Sequence, residues 1–431
     1  MADLLNQCDL DRMIGSSGAI KDLIKFPRSP LDLPLHVVTA RVQDEFEGQL
    51  SESVARCVAS GVSDDPQIAY AAAIGEAWER IAFVQHHERL KHAPAKPPSP
   101  QGLPADSFFE LPFLLDAGVN RHKWAEQAST GPCKTVTYHE ILRGKKVKPC
   151  ELPAWVAVPG AESTLFETTN GLACGHKFDV ALDRAVREVV ERDSLMLVWL
   201  TRCGGTRVSP SRLLTPGQVT QITRLTDMGI QFRLRDISSV RGIHVMLAVV
   251  FARFPNNRVG IAFGAGAHRL QHLAARHAFR EAGLSWRGVA WRTLNRERPE
   301  PTTTVPNSFA QHAEYYSSWD RMHLLDFLLD DDPIIEEEEP LRAPKAALNP
   351  DAGHINMLLS QGKRIFALDI TPQQAAETGL VVVQAVIPGL VPLYISDRCA
   401  DQLALERLPT TIGGRLQDRP ESLNTRIHPW P

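Results

Sequence analysis

Two stretches of the sequence share the pattern Glu-x-x-Glu-Arg, at residues 76–80 and 188–192. In a helix, residues three positions apart lie on one face, so each stretch would present two carboxylates side by side. Such pairs are common as solubilising charges on exposed helices. Here both pairs lie among apolar residues, and a buried carboxylate is costly unless its charge is compensated. Two such helices facing each other would offer four oxygen ligands, which suit Mg²⁺ better than zinc.

Small residues and glycines fill the segment before the second stretch, residues 168–176. Its backbone amides could face a phosphate at the N-terminus of the following helix, or the segment could be an ordinary tight turn. Cys174 and His176 also allow a Cys/His nucleophile. The alternative is a buried, inert Cys174, because residues two apart seldom present both side chains to one substrate. His86 and His87 lack metalloprotease spacing and indicate the exposed end of a helix.

The carboxylates need two long helices to hold them. Residues 66–90 are predicted to form the first helix, with Pro66 in its first turn. Residues 178–200 are predicted to form the second helix, with Asp179 as its N-cap. Both segments are unusually apolar for surface helices, which indicates that they are buried.

Strands and a third helix complete the predicted architecture. Residues 242–263 are predicted to form a β-hairpin, because two β-rich runs flank a Pro-Asn-Asn turn. The Gly-Ala-Gly-Ala-His sequence at 264–268 is expected to form a sharp turn before a third helix over about 270–287. Further short strands are predicted within 134–158, 364–370 and 379–387. Hairpins and helices without alternating βαβ units predict an α+β fold.

The chain has 431 residues and a formal net charge of −3, with 43% hydrophobic and 23% charged residues. This composition is typical of a globular protein and excludes a disordered or fibrous chain. The charge provides no general basic field, so no nucleic-acid partner is expected. No run of 18 apolar residues and no signal peptide is found, so we expect a cytoplasmic protein without a membrane segment. The seven scattered cysteines contain no CxxC pair and predict free thiols.

We expect one large catalytic domain covering residues 1–431. Two segments are predicted to be surface insertions, a Pro-rich loop at 93–104 and an acidic loop at 330–340. Proline runs do not form helix interiors or central strands, and blocks of like charge are typical of solvated linkers. The last residues, 427–431, form a Pro-rich C-terminal tail.

Three segments, in this order, resemble the YcaO superfamily of ATP- and Mg²⁺-dependent enzymes that activate peptide backbone amides. They are AAIGEAWERIAF (72–83), TTNGLACGHKFDVALDRAVREVVERD (168–193) and GAGAHRLQHLAARHAFREAG (264–283). The stretch GLVPLYISDR (389–398) and the ending HPWP are similar to the cyclodehydratase branch, whose members commonly end in His-Pro-x-Pro. The resemblance implies a YcaO-type α+β fold, with mixed or antiparallel sheets packed with helices around a central ATP and Mg²⁺ site.

The resemblance also implies roles for individual residues. Four glutamates would hold Mg²⁺ on the ATP phosphates: Glu76, Glu79, Glu188 and Glu191. Arg192 would contact phosphate during catalysis, and Glu281 would line the nucleotide site. His176 and His277 stand at nucleotide-site positions where the family has Asn and Arg.

The resemblance places the C-terminal tail close to the active site. The Pro431 carboxylate is then expected to position catalytic groups, and Trp430 is expected to be packed rather than solvated. The sequence departs from the family elsewhere, because Val62, Ala72 and Val180 replace its usual Lys, Ser and Glu. These changes affect the implied ATP contacts and leave the four metal-binding glutamates complete.

The implied function is that of an ATP-dependent cyclodehydratase that converts Cys, Ser or Thr of a ribosomal precursor peptide to thiazoline or oxazoline. The match is to the D protein of thiazole/oxazole-modified microcin biosynthesis, a route to antibiotics. It implies a leader-binding partner protein, an FMN-dependent azoline dehydrogenase, and a multi-subunit synthetase with a homodimeric D subunit. Two alternatives stay open: a catalytically weakened scaffold subunit, and a YcaO enzyme that forms thioamides or macroamidines.

Overall fold

The protein is described here from a computed structural model. The residues that the structure describes are 12–15, 18–43, 59–92, 94–95, 111, 123, 126, 129, 134–154, 169–254, 258–295, 311–312, 315–330, 353–394, 401–418 and 420–430. The predicted acidic loop at 330–340, except residue 330, and most of the predicted Pro-rich loop at 93–104 lie outside these ranges.

Three long helices and several short ones make up the helical part of the described chain. They are α1 Pro66–Lys91, α2 Phe178–Thr201, α3 Pro210–Leu213, α4 Pro216–Asp227, α5 Gln271–Asn295, α6 Asp326–Leu329, α7 His354–Ser360, α8 Gln373–Ala376 and α9 Asp401–Arg407. Two 3₁₀ turns cover Arg143–Lys145 and Trp319–Leu325. Helices α1, α2 and α5 confirm the three helices that the sequence predicts, and α5 extends beyond its predicted end.

Helix α1 begins at a well-defined cap. Asp65 precedes it in an extended conformation, and its carboxylate accepts hydrogen bonds from the amides of Gln67 (2.8 Å) and Ile68 (3.4 Å). These bonds satisfy two N–H groups that have no partner within the helix. The predicted cap of α2 is wrong, because Lys177 occupies the N-cap position and makes no side-chain capping bond. Asp179 instead lies in the first turn, where a carboxylate favours the helix dipole.

The strands are short except for one long hairpin. They are β1 Ile20–Lys25, β2 His36–Val42, β3 Ala59–Ser63, β4 Thr135–Ile141, β5 Val147–Pro153, β6 Leu172–Gly175, β7 Thr206–Arg207, β8 Ile230–Asp236, β9 His244–Phe254, β10 Arg258–His268, β11 Phe366–Asp369, β12 Val381–Val386, β13 Thr410–Ile412 and β14 Arg415–Gln417. The predicted hairpin is confirmed, with β9 and β10 paired from Phe254–Arg258 to His244–His268.

These strands form four sheets in the described part of the chain, and every pairing between them is antiparallel. The strand orders are β1-β2-β3, β10-β9-β8-β7, β5-β4-β11-β12-β6 and β13-β14. The predicted α+β class with antiparallel sheets is therefore confirmed. Strands β3, β6 and β10 each lie at an edge of their sheet.

Helix α2 lies between the two larger sheets. In β12, Val382 belongs to the core that contains α1, whereas Val383 belongs to the core that contains α2. In β9, Met246 packs in the core of α5 and Leu247 in the core of α2. Because neighbouring strand residues point to opposite faces, both sheets are covered on both sides. The layers are α1, the five-stranded sheet, α2, the four-stranded sheet and α5.

The Gly-Ala-Gly-Ala-His sequence at 264–268 is strand, so its prediction as a sharp turn is wrong. A Cβ atom on Gly264 would lie 2.0 Å from the backbone nitrogen of Ala282, and one on Gly266 would lie 2.4 Å from the carbonyl oxygen of Ala274. These glycines let the backbone of β10 approach α5 closely. The close approach fixes the position of α5 beside the edge of the four-stranded sheet.

The C-terminal segment 424–430 packs against the end of α2. The backbone amide of Asn424 donates to the carbonyl of Leu200 (2.7 Å), and its side-chain amide donates to the carbonyl of Trp199 (3.2 Å). Carbonyls at a helix C-terminus need such external donors. Trp430 is 1% exposed, and its ring packs edge-to-face on Phe263 with centroids 5.1 Å apart. The expected packing of Trp430 is therefore observed.

Cys150, Cys174 and Cys203 are buried and form no disulfide, as the cysteine spacing predicts. None of the helices in the described ranges combines the length and the apolar character needed to span a bilayer.

Candidate functional site

A cavity of about 400 Å³ lies where the edge strands β3, β6 and β10 meet helices α1, α2 and α5. Its charged lining residues are Glu76, Arg80 and Glu79 from α1, Arg184, Glu188, Glu191 and Arg192 from α2, and Glu281 from α5. Five carboxylates and three guanidinium groups therefore face one space. The two Glu-x-x-Glu-Arg stretches, which are more than 100 positions apart in the sequence, meet here.

Backbone amides of the edge strands orient three of these glutamates. The amide of Ser60 in β3 donates to Glu76 Oε2 (3.1 Å). In β6, the amide of Leu172 donates to Glu188 Oε2 (3.1 Å), and the amide of Cys174 donates to Glu79 Oε1 (2.7 Å). An edge strand has outward N–H groups that no neighbouring strand satisfies. The carboxylates use these groups as fixed donors.

The fourth glutamate follows the same rule. Glu191 accepts a hydrogen bond from the backbone amide of Ala267, in the edge strand β10. Three different sheets thus each position at least one glutamate of the two stretches. The amides of β6 that the sequence suggested as phosphate donors are already engaged with carboxylates.

Arginines from the same helices neutralise part of the negative charge. Arg80 donates to Glu76 Oε1 (3.0 Å) and to the Thr169 hydroxyl (2.8 Å). Arg192 forms an ion pair with Glu188, with 3.8 Å between Nε and Oε1. The two residues of each pair are four positions apart on one helix face, where opposite charges attract.

Burial and mutual repulsion hold several of the glutamates close to the protonated state. Burial raises the pKa of Glu79 to about 8, and the nearby Glu76 and Glu188 raise it further. Burial raises the pKa of Glu281 to about 8, with Glu76 and Glu191 adding to the effect. The pKa of Glu188 is raised to about 7, chiefly by burial, although Arg192 opposes the shift. The cavity thus holds more negative charge than its arginines compensate.

This donor set fits Mg²⁺ bound together with a polyphosphate. Within the described ranges, no three His, Cys, Asp or Glu side chains converge closely enough to enclose a metal ion alone. Protein sites for Mg²⁺ usually supply one or two carboxylates, with substrate phosphates and water completing the shell. A divalent cation between the glutamates would also relieve the repulsion that raises their pKa values. The residues present therefore fit the cation.

Helix α5 presents a polar stripe to the cavity, formed by His277, Glu281 and Ser285 at four-residue spacing. Burial lowers the pKa of His277 to about 4, and the charges of Arg187 and Arg280 lower it further. His277 is therefore a neutral imidazole at physiological pH. It marks an end of the cavity where positive charge predominates.

Most residues singled out from the sequence meet in this cavity. The residues that line it are Glu76, Glu79, Glu188, Glu191, Arg192, Glu281 and His277. His176 does not line it, because it lies between the end of β6 and the start of α2. Pro431 lies outside the described residues, whereas its neighbour Trp430 forms part of the cavity wall.

The Cys/His nucleophile is not supported by the structure. Cys174 is 1% exposed in β6, and burial raises the pKa of its thiol well above the usual value. A thiol without thiolate character is a poor nucleophile. The buried, inert cysteine that the sequence left open agrees with the structure.

Sequence reasoning missed Arg184, Ser60 and Ser285 as cavity residues. Arg184 precedes Glu188 by four residues, so helical spacing alone placed both on one face. Ser285 follows Glu281 by the same spacing. Ser60 contributes through its backbone amide, and no side-chain pattern in the sequence signals that role.

Comparison with known proteins assigns the chain to a family. A family model described as YcaO cyclodehydratase, ATP- and Mg²⁺-binding, matches residues 60–391. The chain therefore belongs to the YcaO cyclodehydratase family, whose members bind ATP and Mg²⁺. The matched region contains all five cavity glutamates, and the resemblance inferred from the sequence is confirmed. No curated protein matches the sequence.

Solved structures share the fold. A heterocyclase in complex with substrate and cofactor is 17% identical, with a TM-score of 0.65, over 90% of this chain and 52% of that chain. The YcaO protein of Methanopyrus kandleri bound with AMPPCP and Mg²⁺ is 16% identical (TM-score 0.58, 86% of each chain). The Escherichia coli microcin synthetase McbBCD complex is 16% identical (TM-score 0.57, 85% of this chain and 86% of that one). This chain thus spans about half the length of the heterocyclase.

Proposed function

We propose that the protein is an ATP-dependent peptide cyclodehydratase that forms thiazolines or oxazolines in a ribosomal precursor peptide. The observation that carries this proposal is the single cavity in which two Glu-x-x-Glu-Arg stretches, Glu281 and three arginines meet. A carboxylate-rich cavity with arginines suits the binding of a magnesium nucleotide. It contains no Ser-His-Asp arrangement among its described residues, and phosphoryl transfer needs none.

The proposed reaction begins on the peptide. The thiol or hydroxyl of a Cys, Ser or Thr adds to the carbonyl carbon of the preceding residue, and the carbonyl oxygen becomes an oxyanion. This oxyanion attacks the γ-phosphorus of ATP, and ADP leaves. The amide nitrogen then loses its proton, the C=N bond forms, and phosphate departs with the former carbonyl oxygen. The proton of the attacking thiol or hydroxyl is lost as well, so each ring consumes one ATP and removes one oxygen and two hydrogens, the elements of water, from the peptide.

The protein contributes positioning and charge compensation rather than a covalent intermediate. Mg²⁺ held between the ATP phosphates and the glutamates Glu76, Glu79, Glu188 and Glu191 would neutralise phosphate charge. Arg192 is the proposed catalytic cation, because it lines the cavity beside Glu188. Pro431 is the proposed positioning residue for the amide, because its neighbour Trp430 already lies in the wall. His277 and Glu281 would contact the nucleotide.

Partners follow from the same proposal. One related structure is a microcin synthetase complex with pro-MccB17 bound, 16% identical over 85% of this chain. By analogy we propose a cytoplasmic multi-subunit synthetase in which a second protein binds the leader peptide. An FMN-dependent dehydrogenase would oxidise azolines to azoles, and the subunit described here would form a homodimer.

A scaffold role is the second candidate. Val62 and Ala72 line the cavity with apolar side chains, so the wall around them offers the nucleotide no side-chain hydrogen bonds at these two positions. A weakened nucleotide site would leave a subunit that holds peptide and partner without turnover. ATP hydrolysis by the complete assembly separates this candidate from the enzyme.

The decisive experiment incubates the purified protein and its partners with precursor peptide, ATP and Mg²⁺. Cyclodehydration lowers the peptide mass by one water for each ring, whereas thioamide formation raises it by the difference between sulfur and oxygen. We expect the loss of water and a matching release of phosphate. An unchanged peptide mass in the complete assembly would contradict the enzyme assignment.

A further inference from the structure

Arg184 differs from the other arginines that line the cavity. Arg80 pairs with Glu76, and Arg192 pairs with Glu188. Arg184 donates from Nη1 to the backbone carbonyl of Cys174 (3.0 Å), and it forms no ion pair with any described residue. A guanidinium group has five N–H donors, so this single bond to a neutral acceptor leaves most of its donors available.

Basic side chains lie close to Arg184. Its charge acts on Arg187 and on His277, and His277 is also affected by the charges of Arg187 and Arg280. Arg187 has its own partner in Asp183, with 3.3 Å between Nε and Oδ2. Arg280 has a partner in Asp64 at 2.7 Å. Carboxylates therefore compensate the arginines behind this end of the cavity, whereas Arg184 at its surface stays uncompensated.

The carboxylates of the cavity do not serve as counter-charges for Arg184. The cations that act on Glu79, Glu188, Glu191 and Glu281 are Arg80, Arg187, Arg192 and Arg280. Arg184 lies one turn of α2 before Glu188, about 6 Å along the axis. The cavity thus has a carboxylate-rich region and, one helical turn away, an uncompensated guanidinium.

We propose that Arg184 binds a phosphate group of the nucleotide and so anchors one end of the phosphate chain whose magnesium lies at the glutamates. This inference rests on the proposed function, since it assumes that the cavity takes a magnesium nucleotide. A planar guanidinium matches two phosphate oxygens at once and makes charge-assisted hydrogen bonds to them. The distance between the glutamates and Arg184 suits a ligand with several linked phosphates better than a ligand with a single carboxylate.

The test compares binding of the magnesium complex of AMPPCP with binding of adenosine, which has no phosphate. Both are measured by displacement of a fluorescent nucleotide from the full-length protein. We expect Arg184→Gln to weaken AMPPCP by about 10- to 100-fold, the range for hydrogen bonds to charged groups, and to leave adenosine within about twofold. Arg184→Lys keeps the charge without the planar fork and should restore part of the loss.

Two controls keep the test specific. Arg89→Gln removes an exposed arginine of α1 outside the cavity and should bind both ligands like the wild type. Thermal unfolding of Arg184→Gln shows whether the lost bond to Cys174 alters the fold, and binding is measured well below that transition. The proposal is overturned if Arg184→Gln binds AMPPCP normally, or if adenosine loses affinity by the same factor. If the wild type does not bind AMPPCP, the proposed function fails and this inference fails with it.

Discussion

Asp193 in α2 and Arg407 in α9 form an ion pair in the protein interior, with 2.7 Å between Oδ2 and Nη2. Asp193 is completely buried and also accepts hydrogen bonds from the amide of Val391 (2.8 Å) and the hydroxyl of Ser239 (2.9 Å). Because Asp193 directly follows the second Glu-x-x-Glu-Arg stretch, the pair fastens the C-terminal part of the chain to the helix that carries the site.

Breaking this pair should destabilise the protein strongly. Asp193→Ala leaves Arg407 without its counter-charge in the interior, and loss of one partner from a buried pair costs about 3–5 kcal/mol. Urea denaturation measures the change in free energy of unfolding. The control is Asp22→Ala, which removes an exposed ion pair with Arg41 and should cost less than about 1 kcal/mol. Equal losses for the two variants would contradict the prediction.

The close approach of β10 to α5 predicts that Gly264→Ala is poorly tolerated. Its new methyl group would meet the backbone of Ala282, and backbone atoms cannot move aside cheaply. We expect a loss of about 1–3 kcal/mol or more, measured by denaturation, together with weaker nucleotide binding because α5 carries Glu281. Gly217→Ala in α4 is the matched control, since its Cβ would meet nothing within 4 Å. That substitution should leave stability unchanged or raise it.

Trp430 should contribute volume rather than hydrogen bonding. Its indole Nε1 is buried and has no hydrogen-bond partner among the described residues, and its ring packs on Phe263 and Trp199. Trp430→Ala should lower the free energy of unfolding by about 3–5 kcal/mol. Trp430→Phe should cost less than about 1.5 kcal/mol, because it keeps an aromatic ring and loses no hydrogen bond. If Trp430→Phe is as damaging as Trp430→Ala, the N–H group has a role that packing does not explain.

Neutralising one glutamate of the cavity should strongly reduce activity without unfolding the protein. Glu76→Gln keeps the shape of the side chain but removes a ligand charge from the proposed magnesium nucleotide. We expect cyclisation to fall by about 100-fold or more, as for loss of one preorganised electrostatic contact. Peptide mass spectrometry measures the rate, and thermal unfolding should show no loss of stability without Mg²⁺. Glu377→Gln, an exposed glutamate after α8, should retain full activity.

Acid should destabilise the protein partly through His86. Burial lowers the pKa of His86 to about 4, with help from the charges of Arg89 and His87. Above pH 6.5 the imidazole is neutral in both the folded and the unfolded chain. Between pH 6.5 and about 4 the imidazole is protonated in the unfolded chain but stays neutral in the folded chain. The free energy of unfolding therefore falls as the pH is lowered through this range.

The slope from this one histidine is at most about 1.4 kcal/mol per pH unit. Urea denaturation at pH 7, 6 and 5 measures it. His86→Gln and His86→Leu should flatten the dependence by the same amount, because neither side chain titrates in this range. An unchanged slope in both variants would show that His86 is not responsible.

The sequence predicted the two site-bearing helices well because their signals are local. Pro66, preceded by Asp65, marks the start of α1, and the predicted end at residue 90 lies within one residue of the observed end. The Glu-x-x-Glu-Arg repeat indicated which helices would face each other. Local spacing therefore sufficed to predict both helices and four of the five cavity glutamates.

Features that depend on distant contacts were not predictable in this way. Gly264 and Gly266 suggested a turn because glycine usually favours one, yet here they face alanines of α5. The amides that hold the glutamates belong to edge strands, and a sequence does not reveal which strand will lie at an edge. The sequence shows that Arg184 precedes Glu188 by four residues and so shares its helix face. That Arg184 has no counter-charge among the described residues becomes visible only in the assembled cavity.

Side chains occupy three backbone groups along the outer edge of β6. Glu188 and Glu79 accept the amides of Leu172 and Cys174, and Arg184 donates to the Cys174 carbonyl. An open strand edge is a template on which other chains can add and aggregate. The same polar side chains that form the site thus also shield the five-stranded sheet from pairing with another molecule. Selection for ligand binding and selection for solubility therefore act on the same positions of α1 and α2.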